Sequence, residues 1–263
     1  MKVLYWYIIS QRARGNLPSS WVFTESFGLT AVGSTDCDLF SMTKLQLNGE
    51  HLSDLQMWSL MEAVVCGCLS RLQQLWAMSN DIGDAGLTAF TTHCAALPSL
   101  QTLVLNSNRI GDAGMTAFSR AVSRGELKGL KELRLKSNCI GDAGMLAFAS
   151  ACADGALLQL TFLGLDDNGI GTRGITALVD ACTPPRTSLT LPKLVVLSIN
   201  RLNLIDEAGY RALTSGLGLG VLPGLRRLYA TPSQYPRALL KLKAACAARS
   251  ITGSSFTYLD STS

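Results

Sequence analysis

The sequence predicts an α/β solenoid with an inner parallel sheet and an outer layer of helices. Three observations predict it: one unit recurs at a nearly fixed interval, each copy opens with strand-like alternation, and each closes with helix-like spacing. The unit at 100–118, LQTLVLNSNRIGDAGMTAF, returns at 72–90, 130–148, 160–178 and, with one extra residue, 194–213. Weaker copies start at 42 and 225, and equivalent leucines stand 28 to 34 residues apart. Such an interval is typical of stacked repeats, and the copies in this chain add up to about seven.

Each unit begins with a short strand. Leucines at alternate positions, such as Leu103 and Leu105, fall on one face of a strand. Asn108 comes three residues after the second leucine, where the chain must leave the strand. Because an amide can both donate and accept, we expect this side chain to be buried and to satisfy backbone groups in the turn.

Each unit ends with a helix. Gly111 is expected to permit the turn, and Asp112 stands where a helix N-cap is wanted. The same slot holds Asp54, Asp84, Asp142, Thr172 and, in the shifted copy, Asp206–Glu207. The residues that follow form one apolar stripe at helical spacing: Gly114, Ala117, Phe118, Ala121 and Val122. No single unit can bury this stripe alone, so the units must stack.

The combined pattern resembles the leucine-rich repeat, LxxLxLxxNxI, and specifically its ribonuclease-inhibitor-like class. The resemblance covers residues 42 to about 245. It implies a leucine-rich-repeat solenoid shaped as a horseshoe, with the parallel sheet inside and the helices outside. Similar repeats occur in NOD-like receptors and in the Ran GTPase-activating protein.

The pattern divides the chain into three segments. Residues 42–249 are predicted to form the repeat domain, 1–41 an N-terminal extension or cap, and 250–263 a polar C-terminal tail. A secretory signal is the alternative for the N-terminus, but Arg12 and Arg14 stand where small residues should lead to cleavage. The proline-containing stretch 183–192 lengthens one connection, either as a contact loop or as a tolerated insertion.

Composition argues against several partners. Charged residues make up 16% of the chain, and the net charge of +4 does not form a run, so we expect no nucleic-acid partner. No apolar run reaches the length of a membrane helix, so we expect no membrane partner either. The expected partner is therefore another protein, and we expect the chain to bind it as a monomer.

The cysteines favour a reducing compartment. Cys94, Cys152 and Cys182 share one repeat slot that elsewhere holds Val or Leu, so we expect them to be buried as small hydrophobes. The chain contains no N-x-S/T sequon and its cysteine spacing suggests no pairing. A cytoplasmic location is the prediction.

Nothing in the sequence favours catalysis. His51 and His93 are the two histidines, and neither stands near a cysteine cluster that could build a metal or nucleophile site. His93 takes a helix slot held by alanine elsewhere and is expected to be partly exposed. The carboxylate pairs Asp166–Asp167 and Asp206–Glu207 have structural explanations at a strand end and a helix start. We therefore predict no catalytic residue, no metal, no cofactor and no enzymatic activity.

The candidate binding surface follows from strand alternation. Residues beside the inward leucines must face away from the helices, onto the concave side of the sheet. Trp76, Met78 and Val104 form an apolar cluster there, with Arg134 and Lys136 beside it. Phe162 and Asp166 stand at the margin of the same face. Aromatic residues and arginine dominate binding hot spots, although Trp76 could instead pack under the N-terminal segment.

These observations predict a non-enzymatic protein–protein interaction scaffold that binds its partner on the concave face. Two narrower functions stay open because of the resemblance. One is a regulator of a small GTPase similar to the Ran GTPase-activating protein, although no activating motif can be matched residue by residue. The other is the sensing fragment of a protein resembling the NOD-like receptors.

Overall fold

The computed structural model describes residues 42–65, 67, 69–183, 190–200, 204–230 and 235–253. Some of the predictions fall outside these segments. They concern the N-terminal extension at 1–41, the middle of the insertion at 184–189, and residues 254–263 of the predicted tail.

Seven short strands form one open parallel sheet whose order follows the chain. They are β1 Lys44–Gln46, β2 Gln74–Trp76, β3 Thr102–Val104, β4 Glu132–Arg134, β5 Phe162–Gly164, β6 Val196–Ser198 and β7 Arg227–Tyr229. The central leucine of each strand pairs with that of its neighbour. The register is therefore the one predicted from the repeat.

A helix follows every strand and packs against the next helix along the chain. The helices are α1 Asp54–Val65, α2 Asp84–His93, α3 Asp112–Ser123, α4 Asp142–Ala153, α5 Thr172–Ala181, α6 Glu207–Gly218 and α7 Pro236–Ala248. The predicted α/β solenoid is confirmed. None of the helices in the described segments is long and apolar enough to cross a membrane.

The core lies between the sheet and the helices. The strand leucines from Leu75 to Leu228 are at most 1% exposed, and a column of Phe90, Phe118 and Phe148 backs them from the helices. Strands stack about 4.8 Å apart, whereas packed helices need about 10 Å, so the sheet lines the inner side of the curve. We call the sheet face directed away from the helices the concave face.

Buried asparagines join successive repeats, as the sequence predicts. Asn80, Asn108, Asn138 and Asn168 are at most 9% exposed. The Oδ1 atom of Asn138 accepts from the amide of Ile110 in the preceding repeat at 3.0 Å. Its Nδ2 group donates to the carbonyls of Leu105 and Leu135, each at 3.0 Å. One side chain thus satisfies backbone groups of two repeats.

The aspartates Asp54, Asp84, Asp112 and Asp142 cap helices, but not their own, so the N-cap prediction is wrong for them and holds for Asp206. Helix α3 begins at Asp112, and its N-cap position is Gly111, which offers no side chain. The Oδ1 atom of Asp84 accepts from Gly111 N at 2.7 Å and Gly114 N at 2.8 Å. Asp84 therefore caps the helix of the following repeat, because its carboxylate reaches the first amides of that helix and not those of its own.

The glycine before each aspartate also has a different role from the one predicted. The φ angles of Gly83, Gly111, Gly141 and Gly171 lie between −110° and −101°, so no left-handed conformation is needed there. Serines carry the positive φ instead: Ser79, Ser107 and Ser137 have φ of 55–56° just before the buried asparagine. What the glycines provide is room, since a Cβ on Gly111 would stand 3.3 Å from the Asp84 carboxylate.

One junction uses a different capping arrangement. Thr172 replaces the aspartate of its repeat, and Asp206 stands at the N-cap of α6, where the other copies have glycine. Asp206 Oδ1 accepts from Ala208 N at 2.8 Å and Gly209 N at 3.2 Å. Thr172 Oγ1 donates to the same carboxylate at 2.7 Å. The helix here is capped by its own carboxylate because the preceding repeat supplies none.

The C-terminal end of the solenoid is closed by the chain itself. Arg249 donates to the carbonyl of Val221 at 2.7 Å and that of Leu222 at 3.0 Å. The backbone of Thr252 then pairs with β7, and Ile251 is buried. The first residues of the predicted polar tail, up to 253, therefore belong to the packed domain.

Candidate protein-interaction surface

The parallel register brings the predicted contact residues together on the concave face. Trp76 pairs with Val104, and Val104 pairs with Arg134 on the next strand. Phe162 pairs with Glu132 on β4. Strand alternation fixes the face on which these side chains lie. Met78, Lys136 and Asp166 each stand two residues beyond the strand ends, in a column of their own.

Val104 departs from the prediction of an exposed apolar residue. Its side chain is 0% exposed, whereas Trp76 and Met78 are half-buried. Its pairing partners on the two sides are Trp76 and Arg134. The two neighbouring side chains stand about 4.8 Å away across the sheet, are much larger than valine, and cover it from solvent. Val104 therefore serves as packing beneath this surface and is not one of its contact groups.

Trp76 is held in place by two neighbours. Its Nε1 group donates to Gln74 Oε1 at 3.3 Å, and the Lys44 ammonium lies 4.8 Å from the ring centroid. A cation over an indole ring is attracted by the negative potential of the ring face. The two contacts hold the ring in one orientation on the concave face.

Arg134 is fixed in a similar way. Its Nε group donates to the Glu132 carboxylate, and its guanidinium carbon lies 4.3 Å from the ring centroid of Phe162. The side chain of Arg134 remains 39% exposed, so the outer edge of the guanidinium can still reach a partner. Arg134 and Phe162 form one cation–π pair across neighbouring strands.

The column that contains Met78, Lys136 and Asp166 is partly structural. Asp166 Oδ1 accepts from Ser198 Oγ at 2.7 Å and from Asn200 N at 2.9 Å. Asn106 has the same role two repeats earlier, accepting from the Lys136 amide at 2.9 Å. The Lys136 side chain is exposed. Asp166 therefore stabilises the next repeat, while Lys136 faces solvent.

Part of the chain matches a known repeat family. A family model described as Leucine Rich repeat matches residues 96–119 and 130–149. The chain contains leucine-rich repeats. It is also similar, at 18% identity and a TM-score of 0.34, to a chain of a solved structure described as "Octameric complex of Latrophilin 3 (Lec, Olf), Unc5D (Ig, Ig2, TSP1) and FLRT2 (LRR)". That alignment covers 74% of this chain and 69% of the other. A search of curated proteins finds no match.

The leucine-rich repeats also place residues that the sequence reasoning did not select. Lys44 and Glu132 contact Trp76 and Arg134, as described above, and Arg227 is exposed on β7. The signal available in the sequence was position alone, since each of the three is the first residue of its strand, one position before the central leucine. The contacts of Lys44 with a ring and of Glu132 with a guanidinium depend on side-chain direction, which the repeat pattern does not specify.

Within the described segments, no group of three or more His, Cys, Asp or Glu side chains could hold a metal ion. His93 is half-buried, as predicted, and packs edge-on against the Trp58 ring at 5.8 Å. Its Nε2 atom lies 3.8 Å from Glu62 Oε1 and makes no hydrogen bond. This pair belongs to the contact between α1 and α2, on the opposite side of the domain from the concave face.

The buried thiols are electrostatically unsuited to ionise. Burial, together with a hydrogen bond from Sγ to Glu126 at 3.2 Å, raises the pKa of Cys94. Burial likewise raises the pKa of Cys152 well above its usual value and that of Cys246 to about 11. Cys182 is half-buried, so the prediction of a fully buried slot is wrong at that position. The structure therefore gives no support for thiolate chemistry at Cys94, Cys152 or Cys246.

Proposed function

We propose that this leucine-rich-repeat protein is a non-enzymatic scaffold that binds another protein on its concave face. The observation that carries the proposal is the placement of Trp76 on β2, Arg134 on β4 and Phe162 on β5, on a sheet face that none of the described helices covers. Aromatic rings and arginine contribute most to binding free energy in protein interfaces. Met78 and Lys136 extend the surface, and Asp166 stands at its margin.

Preorganisation supports the same proposal. Trp76 is held by Gln74 and Lys44, and Arg134 by Glu132. Side chains that are already ordered lose less conformational entropy when a partner binds, so more of the contact energy contributes to affinity. The backbone beneath them is equally fixed, because every strand is hydrogen-bonded to its neighbours.

Three narrower proposals accompany the function. We assign the repeats to the ribonuclease-inhibitor-like class, since each strand is followed by a helix of 10 to 13 residues. We place the protein in the cytoplasm, which the unbridged cysteines Cys94, Cys152 and Cys246 in buried positions support. We further propose that it acts as a monomer and contacts neither nucleic acid nor membrane.

Affinity capture with a matched pair of variants tests the proposal. The full chain is used to recover partners, which mass spectrometry identifies, and their affinity is then measured by calorimetry. Trp76→Ala/Arg134→Glu removes the central contacts of the concave face. Trp58→Ala/Arg173→Glu makes the same chemical changes on exposed positions of α1 and α5. Circular dichroism melting confirms that both variants remain folded.

The concave-face variant is expected to weaken binding by about 2 kcal/mol or more, whereas the helix-face variant retains the affinity of the wild type. A partner that both variants bind with full affinity would show that the concave face is not the binding surface. The insertion at 183–192 or the N-terminal segment would then become the better candidate.

A further inference from the structure

Three positive charges on the concave face make no ion pair within the described segments. Lys44, Lys136 and Arg227 are exposed, and in the described segments of the chain no carboxylate lies within 4.0 Å of any of them. Lys44 rests against the Trp76 ring, but that contact leaves its charge uncompensated. These cations are therefore available to an external anion.

The carboxylates of the same face are already engaged within the chain. Glu132 accepts from Arg134, and Asp166 accepts from Ser198 and Asn200. A basic partner would have to compete with Arg134 for Glu132 and would find one carboxylate, Asp166, that only neutral donors contact, whereas an acidic partner would meet three cations without an ion pair. The asymmetry favours a negatively charged partner.

The cations are evenly spaced across the sheet. Lys44 lies on β1, Arg134 and Lys136 lie on and just beyond β4, and Arg227 lies on β7, so three strand steps separate each position from the next. At about 4.8 Å per step, each interval measured across the strands is about 14 Å, and Lys44 and Arg227 are about 29 Å apart. An extended segment advances about 3.3 Å per residue, so roughly nine residues span the row.

The charge of the chain is also skewed toward one end. Residues 190–253 contain nine Lys and Arg against two Asp and Glu, whereas residues 42–183 contain ten against thirteen. The mild net charge of +4 conceals this difference. A positive field at the β7 end would attract an acidic partner and orient it during approach.

We propose that the concave face binds an extended acidic segment of another protein, with carboxylates meeting Lys44, Arg134 with Lys136, and Arg227. The inference rests on the proposed function and names the chemistry of its partner. Carboxylates about four residues apart would match the intervals, and apolar residues between them would contact Trp76 and Phe162. A flat lipid surface cannot follow a concave sheet, and a nucleic-acid strand carries a charge about every 3.4 Å, much denser than these cations.

Selection from a random peptide library tests the inference even while the partner is unidentified. Phage-displayed 12-residue peptides are selected on the full chain, and the dissociation constants of synthetic binders are measured by fluorescence polarisation. Lys136→Glu/Arg227→Glu reverses two concave-face charges. Arg120→Glu/Arg173→Glu reverses two exposed charges on α3 and α5 and serves as the matched control. Trp76→Ala reports whether binding uses the concave face at all.

The selected peptides are expected to be enriched in Asp and Glu relative to the library. Their dissociation constant should rise about tenfold or more in the concave-face reversal, and stay within about twofold in the control reversal. Binders without acidic enrichment, no binders at all, or equal effects of the two reversals would overturn the inference. If Trp76→Ala weakens binding while Lys136→Glu/Arg227→Glu does not, the concave face binds a partner that is not acidic, and the proposed function stands alone. If neither change matters, both fail.

Discussion

The carboxylate of Asp84 lies against the backbone amide of Gly114, 2.8 Å away and 30 residues later in the chain. The same contact recurs between Asp54 and Gly86 at 2.8 Å, and between Asp112 and Gly144 at 2.8 Å. The starts of helices α2 to α5 are thus stabilised by the preceding repeat. Because an isolated repeat would lack this cap on its helix, the contact couples the stability of adjacent repeats.

Gly114→Ala should destabilise the domain, whereas Gly218→Ala should stabilise it. A Cβ on Gly114 would stand 2.6 Å from Asp84 Oδ1 and 3.1 Å from Asp84 Cα, so the capping carboxylate must move. Nothing lies within 4 Å of a Cβ on Gly218, and alanine favours a helix. Urea denaturation should show a loss of about 1–3 kcal/mol for Gly114→Ala and a gain of about 0.4–1 kcal/mol for Gly218→Ala. Changes of the same sign would show that the close approach does not matter.

Asn138→Ala should lower the free energy of unfolding by about 1–3 kcal/mol, because it leaves buried backbone groups without partners. Those groups are the Ile110 amide and the Leu105 and Leu135 carbonyls. Gln73→Ala, which truncates an exposed amide side chain, is the control and should change stability little. Thermal and urea denaturation both measure the difference. Equal stability of the two variants would mean that water replaces the asparagine at no cost.

The Asp206 cap should give a pH-dependent contribution to stability. The hydrogen bond from Thr172 and those from the Gly209 and Ala208 amides hold the pKa of Asp206 below its usual value. The stabilisation is therefore complete above the unfolded pKa of about 4 and is lost as the pH falls through the lower folded pKa. Unfolding of wild type and Asp206→Asn should differ at pH 7 and converge in acid. A difference that stays constant between pH 7 and pH 2 would contradict this account.

The sequence was sufficient for those features of the fold that depend on local period. Alternation at Leu103 and Leu105 identified the strand, its register and the side of the sheet that faces out. Asn108 was predicted correctly because an amide at a strand exit has few other uses. The prediction assigned the Asp84 cap to the wrong helix. A sequence shows where a carboxylate stands along the chain, but not that its hydrogen-bond partner belongs to the next repeat.

The surface was harder to predict than the fold, for a physical reason. Exposure of a small side chain depends on the size of the residues beside it on neighbouring strands. Val104 is covered because Trp76 and Arg134 flank it, and Lys44 matters because its ammonium reaches the Trp76 ring. Both are side-chain effects between strands about 30 residues apart in sequence, and the repeat pattern describes only the backbone.

Thiol labelling should separate the cysteines by burial. Cys139 is exposed and should react first with a maleimide under native conditions, whereas Cys94 and Cys152 are buried and should react only after denaturation. The thiolate is the reactive form, and burial disfavours it at both positions. Peptide mass spectrometry identifies each labelled site, and Cys182, which is half-buried, should fall between the two groups. Native labelling of Cys152 as fast as that of Cys139 would contradict the helix register.

Val104→Ala should act on stability and not on partner contacts. The valine is 0% exposed, so its removal loses about two methylene equivalents of buried surface and leaves a small cavity beneath the concave face. We expect unfolding free energy to fall by about 2 kcal/mol. Met78→Ala removes a half-buried side chain from the same face and should cost less stability. The affinity for a partner or for a selected peptide is then measured with both folded variants. Met78→Ala should weaken binding more than Val104→Ala does. The reverse order would show that Val104 becomes accessible on binding and that Trp76 and Arg134 move apart to admit the partner.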